Sequence, residues 1–175
     1  MQKTQTVLQT GGRQVPGGLK LRAEDAEDLK IISASMQGAI TSANEIAYVA
    51  HRRELVLLAS RFCWEETTRG LLRFWRNFRT RTALRIEDVL DIRFRGFTPG
   101  GGDQVLELLA ILHQPGEEAP EARLELVFAG DGGIRLHVEC INVYMEDMGR
   151  AWWTPHRPRY DTETAIADDT DKPAT

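Results

Sequence analysis

The chain has 175 residues, of which 42% are hydrophobic and 27% are charged, as is typical of one folded globular domain. No apolar run approaches the roughly 18 residues that a membrane-spanning helix needs, and the N-terminus lacks the apolar core of a secretory signal. Two cysteines, Cys63 and Cys140, do not make a disulfide framework, so we expect an intracellular protein. The net charge is −4, and the last 15 residues carry −4 themselves, so the overall acidity argues neither for nor against a nucleic-acid partner.

Both ends of the chain are predicted to be disordered. Residues 1–18 are rich in Gln, Thr and Gly, and residues 161–175 form an acidic tail. Neither stretch can bury enough apolar surface to offset the entropy of ordering it. One globular domain is therefore expected over residues 19–160, with a C-terminal arm at 150–160.

The first half of the domain is predicted to contain a strand, a helix and two further strands. Asp25 is suited to cap a helix over 24–38, and Leu29, Ile32 and Met36 fall on one face of it. Gly38 is placed to end the helix. The strands are expected at 19–22, 45–50 and 54–64.

The second half alternates with a period of two until residue 140. In VLDIRFRGF, Leu90, Ile92 and Phe94 point one way and the charged residues between them point the other. The expected strands are 89–97, 104–114 as a central strand, and a hairpin of 122–129 and 133–139 joined by GDGG. After these, Ile141, Tyr144 and Met148 have helical spacing, which predicts a C-terminal helix over 140–149.

This order of elements predicts an α+β fold. We expect a strongly bent antiparallel sheet or barrel of about seven strands, with an N-terminal helix and a C-terminal helix. The pleckstrin-homology-like barrel has this order of elements, and the analogy concerns the fold alone.

Four stretches carry a resemblance to a known family. They are LKLRAEDAEDLKIISASMQGAI, RFCWE, FAGDGGIRLHVECINVYMEDMG and WWTPHRPRYD. Together they resemble an uncharacterised bacterial family, domain of unknown function 2948, found largely in alphaproteobacteria, over roughly residues 18–161. The resemblance implies a single compact domain of the bacterial cytoplasm, and it implies no activity and no catalytic residues.

The segment 69–85, RGLLRFWRNFRTRTALR, is the first candidate binding site. It contains six arginines and no acid, with aromatic residues between them. Guanidinium groups pair with phosphates and aromatic rings stack on bases, so this composition is typical of a nucleic-acid or anion-binding edge. The alternative is a long, mobile connection whose aromatic rings tuck into the barrel and whose arginines pair with Glu65, Glu66, Glu87 and Asp88.

The arm at 150–160 is the second candidate. Trp152 and Trp153 follow Gly149, and Pro155 and Pro158 favour an extended path. Burying one tryptophan would contribute on the order of 2–3 kcal/mol, which is enough to fasten the arm to its own domain. The alternative is a proline-rich ligand for a partner's groove.

Metal and catalytic patterns are weak. His137 and Cys140 form a single pair with two residues between them, whereas a zinc site shows paired short spacings, so both cysteines are interpreted as core thiols. No nucleophile elbow, phosphate-binding loop or dinucleotide fingerprint occurs. A catalytic site made of carboxylates that meet only in the folded structure is left open as an alternative.

The leading hypothesis is a small non-enzymatic interaction module of the cytoplasm, with no cofactor and no metal. A protein partner is favoured over a nucleic acid, and a homo-oligomer is left open. The alternatives are nucleic-acid or anionic-ligand binding through residues 69–85 and an enzyme whose site is not visible in the sequence. The candidate binding residues are Arg73, Trp75, Arg76, Arg79, Arg81, Trp152, Trp153, Arg157 and Arg159.

Overall fold

The computed structural model describes residues 18–66 and 77–155, and these form a predominantly antiparallel β structure. Within them, ten strands make one sheet and one α-helix packs against it. The helix α1 (Ala26–Met36) lies between the first two strands. The strands are β1 (Lys20–Ala23), β2 (Ala39–Ser42), β3 (Ile46–Val49), β4 (Glu54–Phe62), β5 (Asn77–Ile86), β6 (Val89–Arg95), β7 (Val105–Pro115), β8 (Ala122–Phe128), β9 (Gly133–Val138) and β10 (Val143–Thr154).

The sheet is open and consists of two halves joined by a short strand. Its order is β1-β10-β5-β4-β2-β7-β8-β9-β6, with β3 paired to β4 off this path. The end strands β1 and β6 are not paired with each other among the described strands. β2 joins the halves, since it pairs with β7 along its length and with β4 at Ile40 and Ser60.

Helix α1 confirms the helix that was predicted over residues 24–38. The Asp25 carboxylate accepts a hydrogen bond of 2.8 Å from the Asp28 backbone N–H, which caps the first turn. The side chains of Leu29, Ile32 and Met36 are buried. The helix packs against β7, β1 and β4, so it lies across both halves of the sheet.

One apolar core holds the two halves together. Leu57 and Leu84 contribute to it from one half, and Leu124 and Leu136 contribute from the other. Along most strands buried and exposed residues alternate, because successive side chains point to opposite faces of a sheet. The buried face of the sheet is therefore mostly apolar, and the exposed face carries most of the charges.

The predicted fold class is wrong. An α+β barrel of about seven strands with a helix at each end was expected, and the structure has ten strands in an open sheet and a single α-helix within the described residues. The predicted C-terminal helix over 140–149 is replaced by strand β10. The pleckstrin-homology-like analogy depended on that closing helix and fails with it.

Two periodicities overlap in this stretch, and the period of two prevails. Val143, Met145 and Asp147 point into the domain, while Tyr144, Glu146 and Met148 point out. The backbone of β10 pairs with β1 on one side and with β5 on the other. These long-range hydrogen bonds decide between the two patterns. The β-branched and aromatic residues of the stretch also favour a strand.

Strands β2 and β5 were missed. β2 has four residues, which is too short to show a period. In β5, Thr80, Thr82, Leu84 and Ile86 alternate as buried residues, and the arginines between them obscured this pattern. The interpretation of 69–85 as a mobile connection is thus wrong for residues 77–85.

The other strand predictions are confirmed. Strands occur where 19–22, 45–50, 54–64, 89–97, 104–114 and the hairpin of 122–129 and 133–139 were expected.

The two ends predicted to be disordered fall almost entirely on residues 1–17 and 156–175, outside the described part. Of the helices that the structure describes, none has both the length and the apolar character to cross a bilayer.

Candidate functional site

Pairing of β5 with β10 brings the two predicted binding segments together. Trp152 lies opposite Arg79, and Trp153 lies opposite Phe78. Met148 lies opposite Arg81, and the register shifts between Met148 and Trp152. Residues that are about 70 positions apart in the chain thus become neighbours at the paired ends of β5 and β10. We call this region the β5–β10 surface: Arg79, Arg81, Met148 and Trp152 lie on one face of the sheet, and Trp153, the next residue along β10, lies on the other.

The irregularity between Met148 and Trp152 is a β-bulge that contains Gly149. This glycine has φ of +88°, a value that residues with a side chain rarely adopt. Bulges re-aim the side chains that follow them. Gly149, which was predicted to end a helix, here sets the direction of the tryptophans.

The apolar side chains of the β5–β10 surface are open to solvent. Trp152 is 43% exposed, Trp153 is 57% exposed and Met148 is 50% exposed. The arm was expected to attach by burying its rings, yet up to Thr154 it is held by strand pairing with β5. The rings therefore keep much of their area available for contact.

The described arginines of segment 69–85 contact acceptors within the domain. Arg79 donates from Nη1 to the Ser60 carbonyl at 2.7 Å, and Arg81 forms an ion pair with Glu45. Arg85 lies 3.1 Å from Glu87, and its guanidinium stacks on the Tyr144 ring at 4.6 Å. Glu87 was among the acids predicted to pair with these arginines, and Glu45 was not.

Five candidate residues lie outside the described part of the chain. These are Arg73, Trp75, Arg76, Arg157 and Arg159. Arg79, Arg81, Trp152 and Trp153 are the predicted site residues that the structure brings together. Met148 was missed, because its helical spacing from Ile141 and Tyr144 suggested a buried helix face.

A buried charge network anchors β10 directly beneath this surface. Asp147, the residue before Met148, receives a bidentate pair from Arg61 at 2.7 and 2.6 Å. It also accepts hydrogen bonds from Thr82 Oγ1 at 2.7 Å and from the Leu19 backbone N–H at 3.0 Å. The side chains of Arg61 and Asp147 are both fully buried. Three adjacent strands, β4, β5 and β10, are tied together at this point.

Arg61 is satisfied in this environment. Its remaining donors reach Glu65 at 3.0 and 2.7 Å and the Phe62 carbonyl at 3.1 Å. Burial alone would lower the pKa of Arg61, but the hydrogen bonds to Asp147 and Glu65 raise it above its ordinary value. The guanidinium is a permanent charge with a structural role.

The possible metal ligands are not assembled into a site. His137 Nε2 contacts Glu121 at 3.0 Å, and the Cys140 thiol points to Asp88 at 3.8 Å. Burial and the nearby Asp88 charge raise the pKa of Cys140, which disfavours a reactive thiolate. Cys63 is buried, and no cluster of three potential ligands occurs among the described residues.

Comparison with known proteins gives a family and no function. No curated protein and no solved structure matches the chain. The model of one family, described as "Protein of unknown function (DUF2948)", matches residues 19–160. The match covers most of the sequence, and the chain therefore belongs to the DUF2948 family.

Proposed function

We propose that this chain is a non-enzymatic protein-binding module of the bacterial cytoplasm, and that its contact site is the β5–β10 surface. The observation that carries the proposal is the exposure of Trp152 and Trp153 on a strand that is anchored from below. Tryptophan is enriched among the residues that dominate binding energy, and methionine and arginine are enriched at interfaces.

The edge of β10 favours an extended partner segment. β1 pairs with β10 along residues 143–146, and residues 148–154 have β5 as their partner among the described strands. A strand edge presents backbone donors and acceptors that a second chain can use. The partner is then a protein segment that adds to this edge and packs apolar side chains on the tryptophans.

The contacts that Arg79 and Arg81 already make favour a protein partner over a nucleic acid. Arg79 and Arg81 already contact acceptors in the domain. A phosphate would have to displace these contacts, whereas a peptide would use the rings and the strand edge. The two free thiols, Cys63 and Cys140, agree with a reducing cytoplasm.

Affinity capture from bacterial lysate tests the proposal. The full chain is compared with a Trp152→Ala/Trp153→Ala variant and with Val105→Ala, which removes an apolar side chain that is 69% exposed elsewhere. We expect the wild type and Val105→Ala to retain the same proteins and the tryptophan variant to lose them. Circular dichroism confirms that all three are folded.

Two outcomes would overturn the proposal. The first is the same set of captured proteins with all three chains, and the second is no reproducible protein with the wild type. If nuclease treatment abolishes the capture, the β5–β10 surface binds nucleic acid and not protein.

A further inference from the structure

The outer face of the second half of the sheet contains a cleft that is separate from the β5–β10 surface. Its volume is about 610 Å³, and its lining comes from β6, β7, β8 and β9. Clefts that hold small molecules have volumes of roughly 300–1,000 Å³. The cleft is therefore large enough for a small organic ligand.

Arginines from three strands converge on this cleft. Arg93 of β6 lies directly opposite Arg135 of β9, and Arg123 of β8 lies opposite His137 of β9. Like charges that face each other across strands destabilise a sheet. An anion bound between Arg93 and Arg135 would remove this repulsion.

The ion pairs that these arginines make are weak and exposed. Arg93 Nε lies 3.2 Å from Asp91, and Arg135 Nε lies 3.2 Å from Glu125. The side chains of Arg93 and Arg135 are 81% and 67% exposed. Exposed pairs contribute little to stability, so a ligand with two charged oxygens can compete with them.

The positive charge is concentrated around Arg93 and Arg135. Arg95, on the same face of β6, places Nη2 4.0 Å from Glu125, so Arg93, Arg95 and Arg135 share two carboxylates, Asp91 and Glu125. Arg123 has its own partner, Glu117, at 2.9 Å. An arginine fork matches the geometry of phosphate and carboxylate groups.

Apolar surface adjoins these charges. Leu112 of β7 is 50% exposed and lines the cleft together with parts of Leu124 and Leu136. An exposed leucine beside several arginines suits a ligand that has both an anionic group and an apolar body.

We propose that this cleft binds a small organic dianion, either a phosphate monoester or a dicarboxylate. Arg93 and Arg135 hold its charged oxygens, Arg123 lies beside them, and its apolar body packs on Leu112. The site is independent of the β5–β10 surface, since it uses other strands.

Calorimetric titration of the full chain tests this site with three probes. The probes are 1-naphthyl phosphate, phthalate and inorganic phosphate. We expect saturable binding of 1-naphthyl phosphate or phthalate, and the tighter of the two identifies the anionic group. Inorganic phosphate should bind at least about fivefold more weakly than 1-naphthyl phosphate if the latter binds, because it has no apolar body.

Substitutions in the lining of the cleft test whether the probes bind there. Arg93→Gln/Arg135→Gln should lower the affinity at least about tenfold, a change of about 1.4 kcal/mol. Leu112→Ser should weaken the aromatic probes and leave inorganic phosphate unchanged. Arg22→Gln is the control, since Arg22 also makes an exposed ion pair, with Glu24 at 2.9 Å, but lies on β1, and this variant should bind as the wild type does.

The proposal is overturned if none of the three probes binds saturably up to about 10 mM, which corresponds to about −2.7 kcal/mol. It is also overturned if the Arg93→Gln/Arg135→Gln variant keeps the wild-type affinity. Circular dichroism of each variant separates loss of binding from loss of fold.

Discussion

Asp147 shows how one residue connects the core of the domain to its surface. Its two carboxylate oxygens accept four hydrogen bonds from Arg61, Thr82 and the Leu19 backbone. The next residue, Met148, is half exposed on the β5–β10 surface. A buried ion pair is costly to form but much more costly to break, because breaking it leaves a charge without its partner. This network therefore fixes the position of β10.

Asp147→Asn should destabilise the domain by about 3 kcal/mol, since it removes the negative charge nearest to the buried Arg61 and leaves Glu65 as the remaining counter-charge. Urea unfolding followed by circular dichroism measures this change. Glu146→Gln is the control on the same strand, and its loss should be within about 0.5 kcal/mol because the side chain is 53% exposed. Equal stability of Asp147→Asn and the wild type would contradict a structural role for the pair.

At the scale of elements, strand β10 has two parts with different neighbours. Residues 143–146 lie between β1 and β5, whereas residues 148–154 pair with β5 at Met148 and at 152–154, with a bulge between these positions. The first part belongs to the core, and the second part presents the tryptophans. A single strand thus combines the anchor and the contact surface.

Hydrogen exchange should reveal this division. We expect amides of residues 143–146 to exchange at least about tenfold more slowly than amides of 148–154, since opening one strand edge requires less free energy than opening a buried strand. Mass spectrometry of peptides from the two parts measures the rates. Equal protection through residue 154 would show that another segment covers the edge and would argue against an extended partner there.

For the whole molecule, the contacts of the arginines bear on binding to nucleic acid. The described arginines of segment 69–85 make contacts within the domain. Tight binding to nucleic acid depends on releasing counterions from several phosphates. The proposal of a protein partner therefore predicts that the chain binds nucleic acid weakly.

Fluorescence anisotropy with single-stranded RNA and duplex DNA tests this at about 50 and 200 mM salt, where four phosphate contacts would give a log–log slope near −3 to −4. We expect no saturable binding at either concentration. Tight binding with that slope, lost in an Arg79→Glu/Arg81→Glu variant that is still folded, would restore the nucleic-acid hypothesis for segment 69–85.

Local patterns in the sequence were sufficient for α1, its Asp25 cap and most strands, because these depend on periodicity and turn chemistry within a few residues. Family membership was also recognisable from the sequence. Segment 140–149 was ambiguous, since its apolar residues fit both periods. Only pairing with β1 and β5, which are distant in the chain, made it a strand.

The candidate sites required the tertiary structure for the same reason. The sequence indicated Arg79 and Trp152 as separate candidates, and the register of β5 and β10 made them neighbours. It also showed Arg93 on the charged side of a strand, but its approach to Arg135 depends on the pairing of β6 with β9. A sheet places residues side by side through long-range hydrogen bonds, and no local pattern specifies which strands will meet.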